Sequence, residues 1–253
     1  MISFTEAQLA AWWTAVFWPL TRVLALFAVA PVWSHRAVPA RLKLALGVAF
    51  TLVLVPVLPA PPAVDAFSAQ GLPLLLSNIA VGLALGFTVR LVFAAIELAG
   101  EAMGLQMGLS FAAFFNPAAG TTSNSVSSFL GTLALLMFIA MDGHLMLLHA
   151  LAESFRVFPA EAGFSSANAL QIAHLGAQVF SLGLAIALPF VAVSFLVNVV
   201  LGVMARIAPQ FNIFAVGFPL TILVGLATML TLLPYIEAPI RAALEHAVNF
   251  WGA

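Results

Sequence analysis

Three charged side chains in an otherwise apolar stretch, Arg90, Glu97 and Glu101, stand 7 and 4 residues apart. At about 100° per residue a helix brings them within about 40° of one another, so one stripe carries a cation and two carboxylates. Such a stripe is either an ion or proton path or an ion pair buried in a seam between helices. Gly82 and Gly86, then Gly100, Gly104 and Gly108, recur at four-residue spacings on the adjoining face, and small residues so placed let helix backbones approach closely. A charge facing lipid costs at least ~2.5 kcal/mol, so the stripe must face protein or water. The packing seam is the preferred reading, and its second carboxylate then needs a partner, expected from another chain.

The string DGHLMLLHALAESF at 142–155 places Asp142, His149 and Glu153 near one face, with His144 elsewhere. A zinc motif of the H-E-x-x-H kind wants its histidines four apart, and these are five apart. Helix-end capping and interhelical hydrogen bonding are the expected roles. The serines cluster at 123–128 with no nucleophile elbow and no neighbouring base, and the glycines at 100, 104 and 108 follow an apolar helix instead of opening one after a strand. With no cysteine in the chain, disulfides, iron–sulfur clusters and thiolate chemistry are excluded. No catalytic, cofactor-binding or metal-ligating residue is assigned, and no enzyme activity is expected.

The elements that must hold these residues are membrane helices. Of 253 residues 64% are hydrophobic and 7% charged, against about 25% charged in soluble domains, so there is too little charge to solvate a surface. A bilayer span needs roughly 20 apolar residues. Apolar segments run at about 7–33, 44–64, 72–115, 126–152, 170–205 and 213–250, continuous and not alternating, which selects helices over a membrane barrel. The expected fold is all-α: a polytopic, hairpin-built bundle of about six helices in one domain, residues 1–253. Pro19, Pro56, Pro189, Pro219 and Pro234 should kink or split them. By the positive-inside rule the loop 34–43, with Arg36, Arg41 and Lys43, faces the cytoplasm and the loop 59–71 the other side. A net charge of −1 and the lack of any basic run argue against nucleic acid. A secondary transporter also uses broken helices and buried carboxylates, but it calls for repeat-related discontinuous helices, and no internal symmetry is found.

Three stretches, ELAGEAMGLQMGLSFAAFFNPAAG (97–120), MDGHLMLLHALAESF (141–155) and NVVLGVMARIAPQFNIFAVGFPLTILVG (198–225), resemble the FliR family of bacterial flagellar export components and its relatives in virulence type III secretion. RIAPQFNIFAVGFP and GLSFAAFFNP are the most specific strings. The first 95 residues match mainly in hydropathy, with PARLKLALG at 39–47 in support. The resemblance implies a non-enzymatic channel subunit without cofactors. It would assemble with FliP, FliQ and other export-apparatus proteins into a helical gate for unfolded proteins, in the inner membrane at the flagellar basal body and raised toward the periplasm. A virulence-type gate is the alternative within the same resemblance.

The resemblance also implies that residues 105–122 form a plug-like loop in the pore, here carrying Met107, Phe111, Phe114 and Phe115 before the helix-breaking pair Asn116-Pro117. The competing reading of these aromatics is ordinary bundle core. Arg206, Pro209, Gln210 and Asn212 interrupt two long apolar runs, so a turn between helices is expected there, and the resemblance makes it a contact with neighbouring subunits.

Overall fold

The computed structural model describes residues 5–35, 37–60, 62, 64, 68–109, 124–159, 166–210 and 213–252. Among them the chain is helical without strands: α1 (Glu6–Val29), α2 (Pro31–Ser34), α3 (Ala40–Leu54), α4 (Gly71–Gln106), α5 (Ser125–Ala140), α6 (Gly143–Val157), α7 (Ser166–Ile207) and α8 (Ile213–Asn249). Five helices are long and apolar enough to cross a membrane, or six if the broken pair α5 and α6 is one span. The expected all-α membrane class and its helix number are therefore present.

Of the five prolines expected to kink or split helices, only Pro56 lies at a helix end. α1 runs through Pro19, α7 through Pro189 and α8 through Pro219, Pro234 and Pro239, while Pro56 lies in a 3-10 turn, Val55–Val57, at the end of α3. The segment expected at 126–152 is instead split at Met141–Asp142. Asp142 takes a left-handed backbone (φ 56°) and starts α6 through its own carbonyl, which accepts from Leu145 and Met146. Its side chain makes no capping bond, so the expected capping role is filled by its backbone alone. Arg41 and Lys43, expected in a loop, lie in the first turn of α3, because Pro39 presets the backbone for a helix start. α4 stops at Gln106, nine residues before the expected end. Gly108, at φ 77°, makes the left-handed C′ turn, with Gly108 N–H to Leu105 O and Leu109 N–H to Gly104 O, both 3.0 Å.

Two compact units result: residues 1–91, 141–176 and 244–253 in the first, and 92–140 and 177–243 in the second. In the first, a Thr5/Gln8 capping box opens α1. α2 folds back so that Phe27 and Trp33 stack at 4.7 Å, with Phe50 of α3 edge-on to Phe27. Gly82 and Gly86 let α4 lie on the α1 backbone: a Cβ at either would strike Arg22 O or Leu26 O. Trp251, fully buried, closes this unit against Phe158 and donates from its indole to Thr88 Oγ1 at 3.3 Å. In the second unit Phe93 meets Phe138 edge-on at 5.8 Å, and Gly183 of α7 rides over Ala95 O of α4.

Candidate functional site

In the second unit the later part of α4 holds two of the three seam charges. Glu97 and Glu101 are half-buried there, and Arg90, in the first unit, is exposed within the single chain. The sequence reading looked to another chain for the second carboxylate's partner; Asn124 of the same chain supplies it. Glu101 Oε1 accepts from the Asn124 backbone N–H at 3.0 Å and Oε2 from its side-chain amide at 2.9 Å. Asn124 in turn accepts from Ser127 N–H at 2.8 Å, and Ser127 Oγ donates to Glu97 O at 3.0 Å. A carboxylate thus sits over the unsatisfied amides at the start of α5, where the helix dipole favours negative charge. Gly100 and Gly104 make the approach feasible, since a Cβ on either would run into Ser127 or Asn124.

Met107 is 1% exposed. It lies over Gly225 of α8, where an added Cβ would meet Met107 Cγ at 2.6 Å, and its carbonyl accepts a long 3.5 Å bond from Thr221. Phe218 packs beside Gly108. One face of α8 therefore clasps the end of α4. Phe111, Phe114, Phe115, Asn116 and Pro117 lie outside the described residues, as does Asn212. Arg206, Pro209 and Gln210 are exposed in the last turn of α7 and the turn after it. Glu153 forms a 2.9 Å pair with Arg156, one turn along α6.

One highly connected buried polar group was not among the sequence candidates. Arg22, fully buried in the first unit, donates from Nε to Asn78 Oδ1 (3.0 Å), from Nη1 to Ser154 O (2.8 Å) and Oγ (3.2 Å), and from Nη2 to Phe158 O (2.9 Å). Its guanidinium lies 4.0 Å over the Phe155 ring. Among the described residues no carboxylate pairs with it; neutral oxygens and an aromatic face take the charge. The available signal was an arginine alone inside an apolar run. Its partners, 56 to 136 residues away, left none.

Among the described residues no nucleophile is joined to a base. The polar groups satisfy helix ends and pin helices together, as a structural subunit requires. The profile of the family described as "Bacterial export proteins, family 1" matches residues 13–247. The flagellar biosynthetic protein FliR of Pectobacterium carotovorum subsp. carotovorum is 43% identical over 237 residues, covering 93% of this chain and 90% of that protein. Its namesake in Escherichia coli K12 is 42% identical over the same shares, and that of Bacillus subtilis 30% identical over 90% of this chain and 89% of its own. A bundle of long apolar helices, pinned by the glycines and polar strings on which the resemblance rests, is matched along nearly its whole length by flagellar proteins, and the chain belongs to the FliR family of bacterial flagellar export components.

Proposed function

We propose that this chain is a non-enzymatic channel subunit of the flagellar type III protein export gate, acting as one functional domain with FliP and FliQ to line a path for unfolded flagellar proteins. The observation that carries the reading is helix length. The apolar stretches Leu170–Ile207 and Ala215–Asn249 contain 38 and 35 residues, and an apolar 18-residue segment within each is only 22% and 17% buried by the rest of the chain. At about 1.5 Å per residue they reach roughly 57 and 53 Å, against a hydrocarbon core of about 30 Å. Lying wholly within the bilayer would need tilts above about 50°, beyond the 0–40° that spans adopt. A bilayer therefore leaves much of their apolar surface in want of cover, and other subunits are its natural source. We place it in the inner membrane at the basal body, partly in contact with lipid, and the family resemblance adds that the assembly is raised toward the periplasm; helices too long for the bilayer are compatible with that position. In that assembly the Arg90, Glu97 and Glu101 stripe becomes a buried seam, and the turn at Arg206, Pro209, Gln210 and Asn212 a subunit contact. The flagellar reading gains over the virulence one from the names of the relatives.

The gate within this reading is the segment after Met107. Phe111, Phe114 and Phe115 close the pore by excluding water, with no ring of charge, and the anchorage of Met107 beneath α8 gives them a fixed root. The test is co-expression with FliP and FliQ and purification in mild detergent. A stable hetero-oligomer by native mass is expected, and a monomer that never co-purifies would count for a transporter. Deleting residues 110–118 should leave the complex assembled but leaking small ions without export substrate. Unchanged conductance in an assembled complex defeats the plug, and loss of the complex favours the core reading.

A further inference from the structure

A cavity of about 360 Å³ lies in the first unit between α1, the turn after α3, α4 and the end of α6. Its buried walls include Trp18, Asn78 and Phe155, and Pro59 and Ala60 are exposed at its rim. Among the described residues no charged side chain lines it, because Arg22 is committed to Asn78, Ser154 and Phe158 and stacked on Phe155. Two donors are left over. The indole Nε1 of Trp18 is buried and meets no acceptor among the described residues, although buried N–H groups are nearly always answered. Asn78 gives one amide hydrogen to Leu74 O and has a second. As far as the described residues line it, the site is therefore an uncharged, largely apolar cavity with N–H groups awaiting an acceptor. Its volume lies in the range of small-ligand sites, roughly 300–1,000 Å³, and is more than one side chain of a partner would fill.

Trp12 and Trp13 are 60% and 55% exposed at the start of the α1 span, and tryptophan marks the interface between headgroups and hydrocarbon. Trp18 is five residues further into the span, roughly 8 Å along the helix. That is the depth at which lipid ester carbonyls give way to acyl chains. We propose that this cavity holds one acyl chain of a membrane glycerolipid, whose ester carbonyl accepts the Trp18 indole N–H. The chain and the ester are read, and the headgroup is not. This does not rest on the pore reading.

The test is native mass spectrometry of the full chain, released from mild detergent after incubation with dioleoyl phosphatidylethanolamine or dioleoyl phosphatidylglycerol. One lipid should be retained per chain, with similar occupancy for the two headgroups. Trp18→Phe keeps the ring but removes the donor and should lower retention about five-fold, the worth of one neutral hydrogen bond. Ala15→Phe, which fills the cavity, should abolish it. Equal retention in wild type and Trp18→Phe overturns the proposal even if Ala15→Phe does not fold. Retention of phosphatidylglycerol alone also overturns it, as does a photocrosslinker at position 60 that captures another export protein in native membranes and never a lipid.

Discussion

Replacing Arg22 separates two accounts of a buried cation: that it is a point charge, or that its fork ties two helices at once. Arg22→Ala takes away the donors that Asn78 Oδ1 and Phe158 O have among the described residues, while Ser154 O keeps the Phe158 N–H at 2.9 Å. Two orphaned acceptors at about 1–3 kcal/mol each give roughly 2–6 kcal/mol. Relief of the buried cation's desolvation offsets part of this, leaving about 2–4. Arg22→Met fills the void beneath Phe155 and should cost less. Arg22→Lys keeps the desolvation cost, yet a single ammonium cannot reach Asn78 on α4 and Ser154 and Phe158 at the end of α6 together. Losing two or three charge-assisted bonds at about 1.5–3 kcal/mol each, it should be at least as damaging as alanine. At about 2–4 °C per kcal/mol for a chain of this size, thermal melts in one detergent should show Arg22→Lys lowered by about 10 °C or more, and Arg22→Met by the least of the three. A lysine variant melting within about 3 °C of wild type would refute the fork and leave only the charge.

Gly100→Val should abolish stable folding, because its side chain meets the Ser127 backbone, whereas Gly202→Ala, with nothing within 4 Å, should raise Tm slightly as mid-helix Gly→Ala changes do, by up to about 1 kcal/mol; equal Tm for the two would contradict the α4–α5 contact. Glu101→Ala strands the Asn124 backbone N–H and leaves its side-chain amide only the longer bonds to the carbonyls of residues 100 and 101, and should speed hydrogen exchange at the first turn of α5 selectively, while Glu101→Gln retains an acceptor and should lie between; uniform exchange across the three proteins would count against the cap. Arg90→Ala should reduce the yield of the assembled complex; a complex that assembles at normal yield and is merely slower in export would make the seam functional and not structural. Cysteine at position 210 should crosslink to neighbouring subunits in membranes, and crosslinks confined to this chain would argue against the subunit contact.

What could be read from the residues was whatever repeats at helical spacing. Continuous apolar runs are enough to declare spanning helices, and the glycines at intervals of four declare a close-packed side of α4 before any neighbour is known. Contacts between distant segments left no such trace. Arg22 meets Asn78 and Ser154 across 56 and 132 residues, and each of those is an ordinary polar residue in its own surroundings. Helix ends misled for a different reason. Asn116-Pro117 is the louder breaker, but Gly108 comes first, and its ability to adopt a left-handed turn already ends α4. At Asp142 the chain breaks through a backbone conformation that aspartate tolerates better than most residues, where capping would have led one to look at the side chain.

The burial of Trp251 bears on the order in which the molecule can be made. It closes a unit whose other parts come from residues 1–91 and 141–176. At about 5–20 residues per second, a ribosome needs roughly 8–30 s to pass from residue 91 to residue 251. Through that interval Thr88, and Phe158 once it has been made, lack the ring that will cover them, and α4 lies open along the face that Trp251 occupies. The first unit is thus completed only once residue 251 has been synthesised, so its closure waits for the helices of the second unit to have been made. Incomplete chains stay recognisably open to the quality-control proteases of the membrane.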